Sequence, residues 1–175
     1  MNSAEEPVWF PYDVGPESPR VAFRDEALMR PLLDVWIESS FGDPVHTRLL
    51  VDSGSEYTLV TRAFARRLGI ADRLSLDYAE EIQIGGMSLM AELCGVQLVI
   101  PSLEPYEATV GFVANWEVFA HSGVLGQRGF FDHVGVVFDR ANLRFGLTSQ
   151  GFMDSRFGVP LAPEPKPPPR MWGRY

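Results

Sequence analysis

Apolar and polar residues alternate along much of the middle of the chain, a pattern typical of β-strands with one buried face. Residues 32–37 and 46–51 are the first clear examples. Between them lies the turn-forming run Phe41-Gly42-Asp43-Pro44. This pattern predicts two strands joined by a turn near the start of the folded region.

A second hairpin is predicted over residues 80–93, centred on Gly85-Gly86. Two glycines supply the positive φ angles that a tight hairpin turn requires. A closing hairpin is predicted near the end of the folded region, with its turn over residues 139–142. The remaining strands are predicted over residues 93–101, 107–114, 134–138 and 143–147.

Helical signals are few. A helix is predicted over residues 61–68, with Thr61 as its N-cap and with Phe64 and Leu68 on one face. Gly69 stands where a left-handed C-terminal cap is favoured. A second short helical piece is predicted near residues 130–133. The chain is therefore expected to be all-β and barrel-like.

The two ends differ from the middle in composition. Residues 1–19 hold four prolines and the aromatic residues Trp9, Phe10 and Tyr12, which predicts an extended segment docked by its aromatic rings. Residues 160–169 hold six prolines, which favours polyproline II. The expected division is an extended segment at 1–24, a domain at 25–150 and a Pro-rich tail at 151–175. The tail is interpreted as solvated, as a ligand for an aromatic-lined groove, or as a peptide that enters a cleft.

Composition fits one compact domain and excludes several partners. The 46% of apolar residues suffice for a core, and the net charge of -8 argues against nucleic-acid binding. No apolar run approaches the roughly 20 residues that cross a bilayer. The acidic residues 1–6 lack the basic region of a signal peptide. A chain without a membrane span, in the cytoplasm, is expected.

The metal and thiol candidates are weak. Cys94 is the only cysteine, which excludes an intrachain disulfide, and its apolar neighbours predict a buried strand thiol. His46, His121 and His133 are scattered and lack the spacing of a zinc site.

The strongest candidate for chemistry is Asp52. Apolar residues 49–51 lead into Asp52-Ser53-Gly54-Ser55, and residues 57–60 then favour a strand. Asp52 can be interpreted as a turn cap, because Asp, Ser and Gly are common in turns. An acid between apolar strands is costly without a role, however, so Asp52 is also a candidate catalytic group.

The segment Asp52-Ser53-Gly54-Ser55-Glu56-Tyr57-Thr58-Leu59-Val60 resembles the active-site segment of retropepsins, the retroviral-type aspartic peptidases. Downstream, Gly123-Val124-Leu125-Gly126, Phe130-Phe131 and residues 134–138 resemble the family's apolar-apolar-Gly element, short helix and closing strand. The two motifs occur in the family's order. The resemblance implies an all-β, closed barrel-like acid-protease fold with one or two short helices.

The resemblance further implies an aspartic endopeptidase that is active as a homodimer. Paired aspartates share one proton, and the chain supplies only Asp52, because Asp139 is interpreted as a hairpin-turn residue. Two-fold symmetry would bring two copies of Asp52 together to activate a water for hydrolysis of a peptide or protein. No cofactor or metal is required. The alternatives are a peptide-binding or scaffold module without turnover, and pairing with a different chain that carries its own Asp turn.

The resemblance assigns roles to the neighbours of Asp52. Ser53 would hydrogen-bond across the dimer axis, and Gly54 would permit close backbone approach. The Ser55 hydroxyl would favour the ionised form of Asp52. Glu56 would contact the substrate main chain.

Two further groups of residues are implied to act at the site. The hairpin tip is interpreted as a flap over the substrate, with an ordinary surface hairpin as the alternative. The residues implied to bind substrate there are Ile84, Gly85, Gly86 and Met87. The residues implied to support the active-site turn from the second motif are Leu125 and Gly126.

Two positions depart from the family pattern. Tyr57 stands where some viral members have a second acid. Gln127 stands where viral members usually have Arg directly after the Gly, and a neutral amide cannot make that ion pair. Arg128 is the candidate replacement from the next position.

Overall fold

The structure of the chain, a computed structural model, describes residues 6–14, 29–84, 86–114 and 122–149. The predictions made for Gly85 and for the Pro-rich tail at 151–175 lie outside the described residues. The proposed division of the chain at residues 24 and 150 stays a prediction.

Within these ranges the chain consists mainly of β-strands, so the all-β prediction is confirmed. The strands are β1 (Val8–Pro11), β2 (Asp13–Val14), β3 (Met29–Arg30), β4 (Leu32–Glu38), β5 (Val45–Val51), β6 (Leu59–Thr61), β7 (Ala79–Ile84), β8 (Met87–Val99), β9 (Tyr106–Val113), β10 (Gly123–Leu125), β11 (Val134–Asp139) and β12 (Arg144–Ser149). The helical elements are α1 (Ala63–Arg67) and short 3₁₀ turns at Ala71–Arg73, Leu76–Tyr78 and Arg140–Asn142.

Seven strands form a sheet in the order β4-β5-β10-β6-β9-β8-β7. Strand β8 also pairs with β4, so the sheet returns on itself as a barrel-like ring. The hairpin of β7 and β8 extends from this ring. In the ring, β10 lies between β5 and β6, parallel to the first and antiparallel to the second.

The core follows from the alternation seen in the sequence. In β5 the odd-numbered residues from Val45 to Val51 are buried, and the even-numbered residues point towards solvent or are half-buried. The largest side chains with under 2% exposure include Phe112, Phe130 and Phe145. Burial of each large apolar side chain stabilises the fold by about 1.5–3 kcal/mol.

The N-terminal strand packs onto the closing hairpin. Strand β1 pairs with β12, which pairs with β11 in a three-stranded sheet. Phe10 stacks on Phe145 with ring centroids 5.6 Å apart, and Tyr12 meets the same ring edge-on at 6.1 Å. Residues 8–11 are thus extended and held next to aromatic contacts, as predicted from their composition.

Helix α1 is shorter than predicted and starts differently. Thr61 is the last residue of β6, and Arg62 occupies the N-cap without a side-chain capping bond. Thr61 stays in the sheet because its amide donates to the carbonyl of Ser122 at 3.2 Å. The predicted C-terminal cap is confirmed, since Gly69 has φ of +66°.

The helix predicted near residues 130–133 is instead a series of turns. The amides of Phe131 and Asp132 donate to carbonyls five residues earlier, at Gly126 and Gln127, which is wider than α-helical spacing. Gly129 has φ of +90°, which interrupts helical dihedrals.

Strand β8 runs without a break through residues 87–99, although the sequence predicted a new strand at residue 93. Cys94 lies within it and is half-buried rather than fully buried, because it borders an open cleft beside Tyr78 and Glu80. Burial raises the pKa of the Cys94 thiol above its ordinary value. None of the helices in the described ranges is long and apolar enough to cross a membrane.

Asp139 is the hairpin-turn residue that the sequence predicted. Its carboxylate accepts hydrogen bonds from the amide of Asn142 at 3.2 Å and from the guanidinium of Arg144 at 2.8 Å. These bonds close the turn between β11 and β12, where Leu143 has the left-handed φ of 50°.

We predict that Asp139→Asn reduces the loss of folding stability that occurs as the pH falls into the acidic range. Hydrogen bonds from Asn142 and then Arg144 hold the pKa of Asp139 below its ordinary value of 3.8. A lowered folded-state pKa gives stability that is present above the unfolded pKa and lost as pH falls through the folded one. Urea unfolding between about pH 2 and 6 should therefore show a shallower decline for the variant. Asp132→Asn, an equal change of charge on an exposed turn residue, is the control, and identical curves for the two variants would contradict the prediction.

Candidate active site

Asp52 follows β5 at the edge of β10. Its amide donates to the carbonyl of Leu125 at 3.0 Å, and its carboxylate oxygen Oδ1 accepts from the amide of Gly54 at 2.9 Å. The amide of Ser55 donates to the Asp52 carbonyl at 3.1 Å and completes the turn. Asp52 therefore does cap its own turn, while its side chain stays half-exposed.

The second motif lies directly against this turn. Amides of Gln127 and Arg128 donate to the carbonyls of Ser55 and Glu56 at 2.9 and 2.8 Å. In return, the amide of Thr58 donates to the Arg128 carbonyl at 2.8 Å. The two segments that the sequence placed more than 60 residues apart thus form one hydrogen-bonded unit.

Gly126 is where this unit is tightest. A Cβ atom on Gly126 would lie 2.1 Å from the carbonyl oxygen of Tyr57, so no side chain fits. The Gly126 amide donates to the hydroxyl of Thr58 at 3.1 Å, and Thr58 is fully buried. Leu125 pairs with Val51 in the register of β5. Leu125 and Gly126 thus contact the Asp52 turn, and their support of an active site stays a prediction.

Gln127 makes a contact that the sequence did not predict. Its side-chain amide donates to the carbonyl of Ser53 at 2.7 Å. A neutral amide suits this role because the backbone carbonyl needs one donor and carries no charge. Gln127 thus holds the tip of the Asp52 turn from the opposite motif.

Arg128 makes an ion pair with Glu56. Its guanidinium lies 3.6 Å from the carboxylate of Glu56, and both side chains are more than half-exposed. The guanidinium also donates to the hydroxyl of Tyr57 and lies 4.8 Å from the centre of its ring. Exposed ion pairs contribute at most about 1 kcal/mol, so this pair orients Glu56 more than it stabilises the fold.

Tyr57 joins the turn to the hairpin. Its hydroxyl donates to Glu80 on β7, and its side chain is 2% exposed. Burial, and then the hydrogen bond to Glu80, raise the pKa of Tyr57 to about 12. The phenol therefore stays protonated and remains a donor to Glu80 at neutral pH.

Ser55 makes its hydrogen bond within the turn. Its hydroxyl is buried and donates to the carbonyl of Tyr57 at 2.7 Å. A hydroxyl has one proton to donate, so this bond directs it away from Asp52. Ser55 thus shapes the turn through this bond.

The hairpin of β7 and β8 rests on its own apolar cluster. Ile84 and Met87 are opposite each other at the tip, and Gly86 has φ of +80° with open space around it. Ile84 packs against a cluster of buried residues that the hairpin shares with the strands flanking Asp52. The buried members of this cluster are Tyr57, Leu59, Ile82, Ala91, Val113 and Val124.

Two buried polar residues of the sheet and its loops were missed from the sequence. Thr58 precedes the apolar residues of β6, and a polar residue beside such a run was the available signal. Glu92 is 7% exposed and pairs with Arg62 at 2.7 Å. Its position in an alternating strand gave no such signal, because Ala91 beside it is also buried.

Comparison with known proteins supports the fold and leaves the sequence without a match. The sequence matches no family model and no curated protein. The structure is similar to that of a retropepsin-like aspartic protease from Rickettsia conorii, with a TM-score of 0.50 and 14% identity, over 82% of this chain and 91% of that chain. At that identity the likeness shows the fold alone, so the chain has a retropepsin-like, barrel-like all-β fold.

Gly126→Ala should lower the free energy of unfolding by about 3 kcal/mol, because its Cβ meets backbone that cannot move aside alone. Gly95→Ala is the control, since a Cβ there has nothing within 4 Å. That variant should lose no stability and gain up to about 1 kcal/mol. Chemical denaturation of both variants measures the difference, and similar losses would contradict the close packing.

Tyr57→Phe should lower the free energy of unfolding by about 1 kcal/mol, because it removes a buried hydroxyl that bonds to both Glu80 and Arg128. Tyr78→Phe is the matched control at a side chain that is 65% exposed. It should change stability by less than about 0.5 kcal/mol. Equal effects of the two variants in thermal or urea unfolding would show that the network adds nothing.

Proposed function

We propose that this protein is an aspartic endopeptidase of retropepsin type, active as a homodimer in which each chain supplies Asp52. The observation that carries the proposal is the placement of this carboxylate, half-exposed in a turn fastened by Leu125 and Gly54. The retropepsin-like fold supports the same class of activity. Asp-Ser-Gly occurs once in the chain, so the second carboxylate comes from a second copy.

The proposed chemistry needs only the two carboxylates and a water molecule. Two carboxylates about 3 Å apart cannot both ionise readily, so the pair holds one proton. The ionised Asp52 takes a proton from the water as it attacks the scissile carbonyl carbon. The protonated Asp52 donates to the carbonyl oxygen, which gives a tetrahedral diol. The carboxyl group that took the water's proton then donates it to the nitrogen, the other carboxylate accepts a hydroxyl proton, and the C–N bond breaks to give an acid and an amine.

The substrate is proposed to be a peptide or protein segment that lies between the Asp52 turn and the hairpin tip. Ile84, Gly85, Gly86 and Met87 would cover it. Met87 is 38% exposed, which leaves apolar surface for a substrate side chain. Glu56, oriented by Arg128, has an exposed carboxylate that would accept hydrogen bonds from the substrate main chain.

The dimer is proposed to form around the tips of the two Asp52 turns. Ser53 is exposed, and its carbonyl is held by Gln127, which supports its proposed hydrogen bond to the second copy. A cytoplasmic location and the absence of a nucleic-acid partner stay predictions from composition.

Asp52→Asn should reduce cleavage of a peptide library by at least about 100-fold at every pH from acidic to neutral, because proton transfer by the carboxylate is lost. The variant should keep the wild-type circular dichroism spectrum and melting temperature. Asp132→Asn, at an exposed aspartate outside the Asp52 turn, should retain wild-type activity. Cleavage by Asp52→Asn at the wild-type level would contradict the proposal.

Mixing the two proteins tests whether active sites are shared. With a tenfold excess of Asp52→Asn and free exchange of subunits, most wild-type chains sit in mixed dimers, and activity should fall to about a tenth. Substrate in excess prevents simple competition. Activity unchanged by the excess, together with a monomer in sedimentation, would rule out the shared site.

A further inference from the structure

Glu80 lies on the inner face of the β7–β8 hairpin. It is opposite Ala91 in the pairing of the two strands, and Ile82 follows on the same face two residues later. Ile82 is buried in the apolar cluster that also contains Tyr57. The face that carries Glu80 is therefore the one that packs towards the segment that follows Asp52.

Tyr57 supplies the contact between this face and the Asp52 turn. Its hydroxyl donates to the carboxylate of Glu80. The Tyr57 side chain is 2% exposed, its carbonyl accepts from the Ser55 hydroxyl at 2.7 Å, and its backbone pairs with that of Arg128. The hydroxyl is thus held by a packed ring on a bonded backbone, and it fixes the position of Glu80 relative to the turn.

Strand β7 has few other attachments to the molecule. In the described part of the chain it pairs with β8 alone, at the end of the seven-stranded sheet. The carboxylate of Glu81, on the opposite face, accepts from the hydroxyl of Ser88 within the same hairpin. Of the side-chain hydrogen bonds found among the described residues, the bond of Tyr57 to Glu80 is the one that joins β7 to a residue outside the hairpin. Apolar contacts of Ile82 complete its attachment.

Arg128 strengthens this bond and extends it to the proposed substrate contact. Its guanidinium donates to the Tyr57 hydroxyl, which leaves the phenol proton for Glu80. A hydroxyl that accepts one hydrogen bond becomes a better donor in the next one. The same guanidinium lies 3.6 Å from the carboxylate of Glu56. A continuous series of polar contacts thus runs from the base of the hairpin to Glu56.

We propose that Glu80 is a positioning residue, which through the Tyr57 hydroxyl holds the base of the β7–β8 hairpin where its tip covers a substrate at the Asp52 turn. This role rests on the proposed function, since it concerns the proposed substrate site. Glu80 does not touch the reacting atoms. Without its bond to Tyr57 the hairpin spends more time away from the turn, so a smaller fraction of the protein is ready to bind substrate.

Amide hydrogen exchange of the ligand-free full chain tests the link without any substrate. Glu80→Ala and Tyr57→Phe should each raise the exchange rate of the β7 amides that pair with β8 about threefold to tenfold, because the hairpin opens more often. Glu81→Ala is the matched control, since it removes a neighbouring exposed acid whose bond stays within the hairpin. Its rates should stay within about twofold of wild type. Unchanged rates in Glu80→Ala and Tyr57→Phe, or an equal rise in Glu81→Ala, overturn the proposal.

Glu80→Gln and a double variant separate the hydrogen bond from other effects of substitution. Glu80→Gln keeps an oxygen that accepts from the Tyr57 hydroxyl, so it should return the exchange rates to within about twofold of wild type. The double variant Tyr57→Phe/Glu80→Ala should exchange no faster than either single variant, because both substitutions remove the same bond. Rates in Glu80→Gln that match those of Glu80→Ala, or effects that multiply in the double variant, overturn the proposal.

Kinetics with a peptide that the wild-type protein cleaves test the effect on substrate. Glu80→Ala should raise KM about threefold to tenfold and change kcat by less than about twofold, since the chemistry at Asp52 is retained. Glu81→Ala should change neither constant. A lower kcat at unchanged KM in Glu80→Ala would overturn the positioning role.

Failure of this proposal and failure of the proposed function give different results. Absence of cleavage by the wild-type protein contradicts the peptidase, while faster exchange in Glu80→Ala still shows that Glu80 holds the hairpin. Normal exchange and normal KM in Glu80→Ala, with cleavage that depends on Asp52, contradict the role of Glu80 and leave the peptidase in place.

Discussion

The backbone of residues 126–128 lies against that of residues 55–58 with no space for a side chain at Gly126. This contact determines the positions of the residues in the turn around Asp52. It follows from the insertion of β10 between β5 and β6, which requires a chain segment from late in the sequence to enter between two early ones. With the insertion made, the Asp52 amide reaches Leu125 and the turn is closed. Its carboxylate stays half-exposed.

The same contact connects the turn to the hairpin. Arg128 follows Gly126 by two residues, and its guanidinium reaches both Glu56 and the hydroxyl of Tyr57. Tyr57 in turn donates to Glu80 on β7, and its ring lies in the apolar cluster below the hairpin. The base of the proposed flap and the Asp52 turn therefore share one set of contacts.

The buried side-chain hydroxyls at the Asp52 turn all have hydrogen-bond partners. Around Asp52, the hydroxyls of Ser55, Tyr57 and Thr58 all have partners within the chain. The proposed active site is thus held in place by bonds within the chain, which is the preorganised state that catalysis favours. Among buried side-chain nitrogen and oxygen atoms of the described residues, only those of Tyr106 and Thr148 lack a hydrogen-bond partner.

The sequence by itself determined those features that depend on residues near each other in the chain. Period-two alternation located most strands, the left-handed Gly69 marked the end of α1, and the turn at Asp139 followed from its neighbours. Asp52 was also identifiable as the candidate acid from the sequence, because it lies in one short motif. These features are readable because they depend on short-range dihedral and burial preferences.

Only the tertiary structure decided which distant groups become partners. Thr61 remained in a strand because its amide meets Ser122, and the Ser55 hydroxyl turned to a carbonyl instead of to Asp52. The side-chain amide of Gln127 donates to the carbonyl of Ser53, 74 residues earlier, and Arg128 pairs with Glu56. These pairings depend on how the strands are ordered in the ring, which no local pattern specifies.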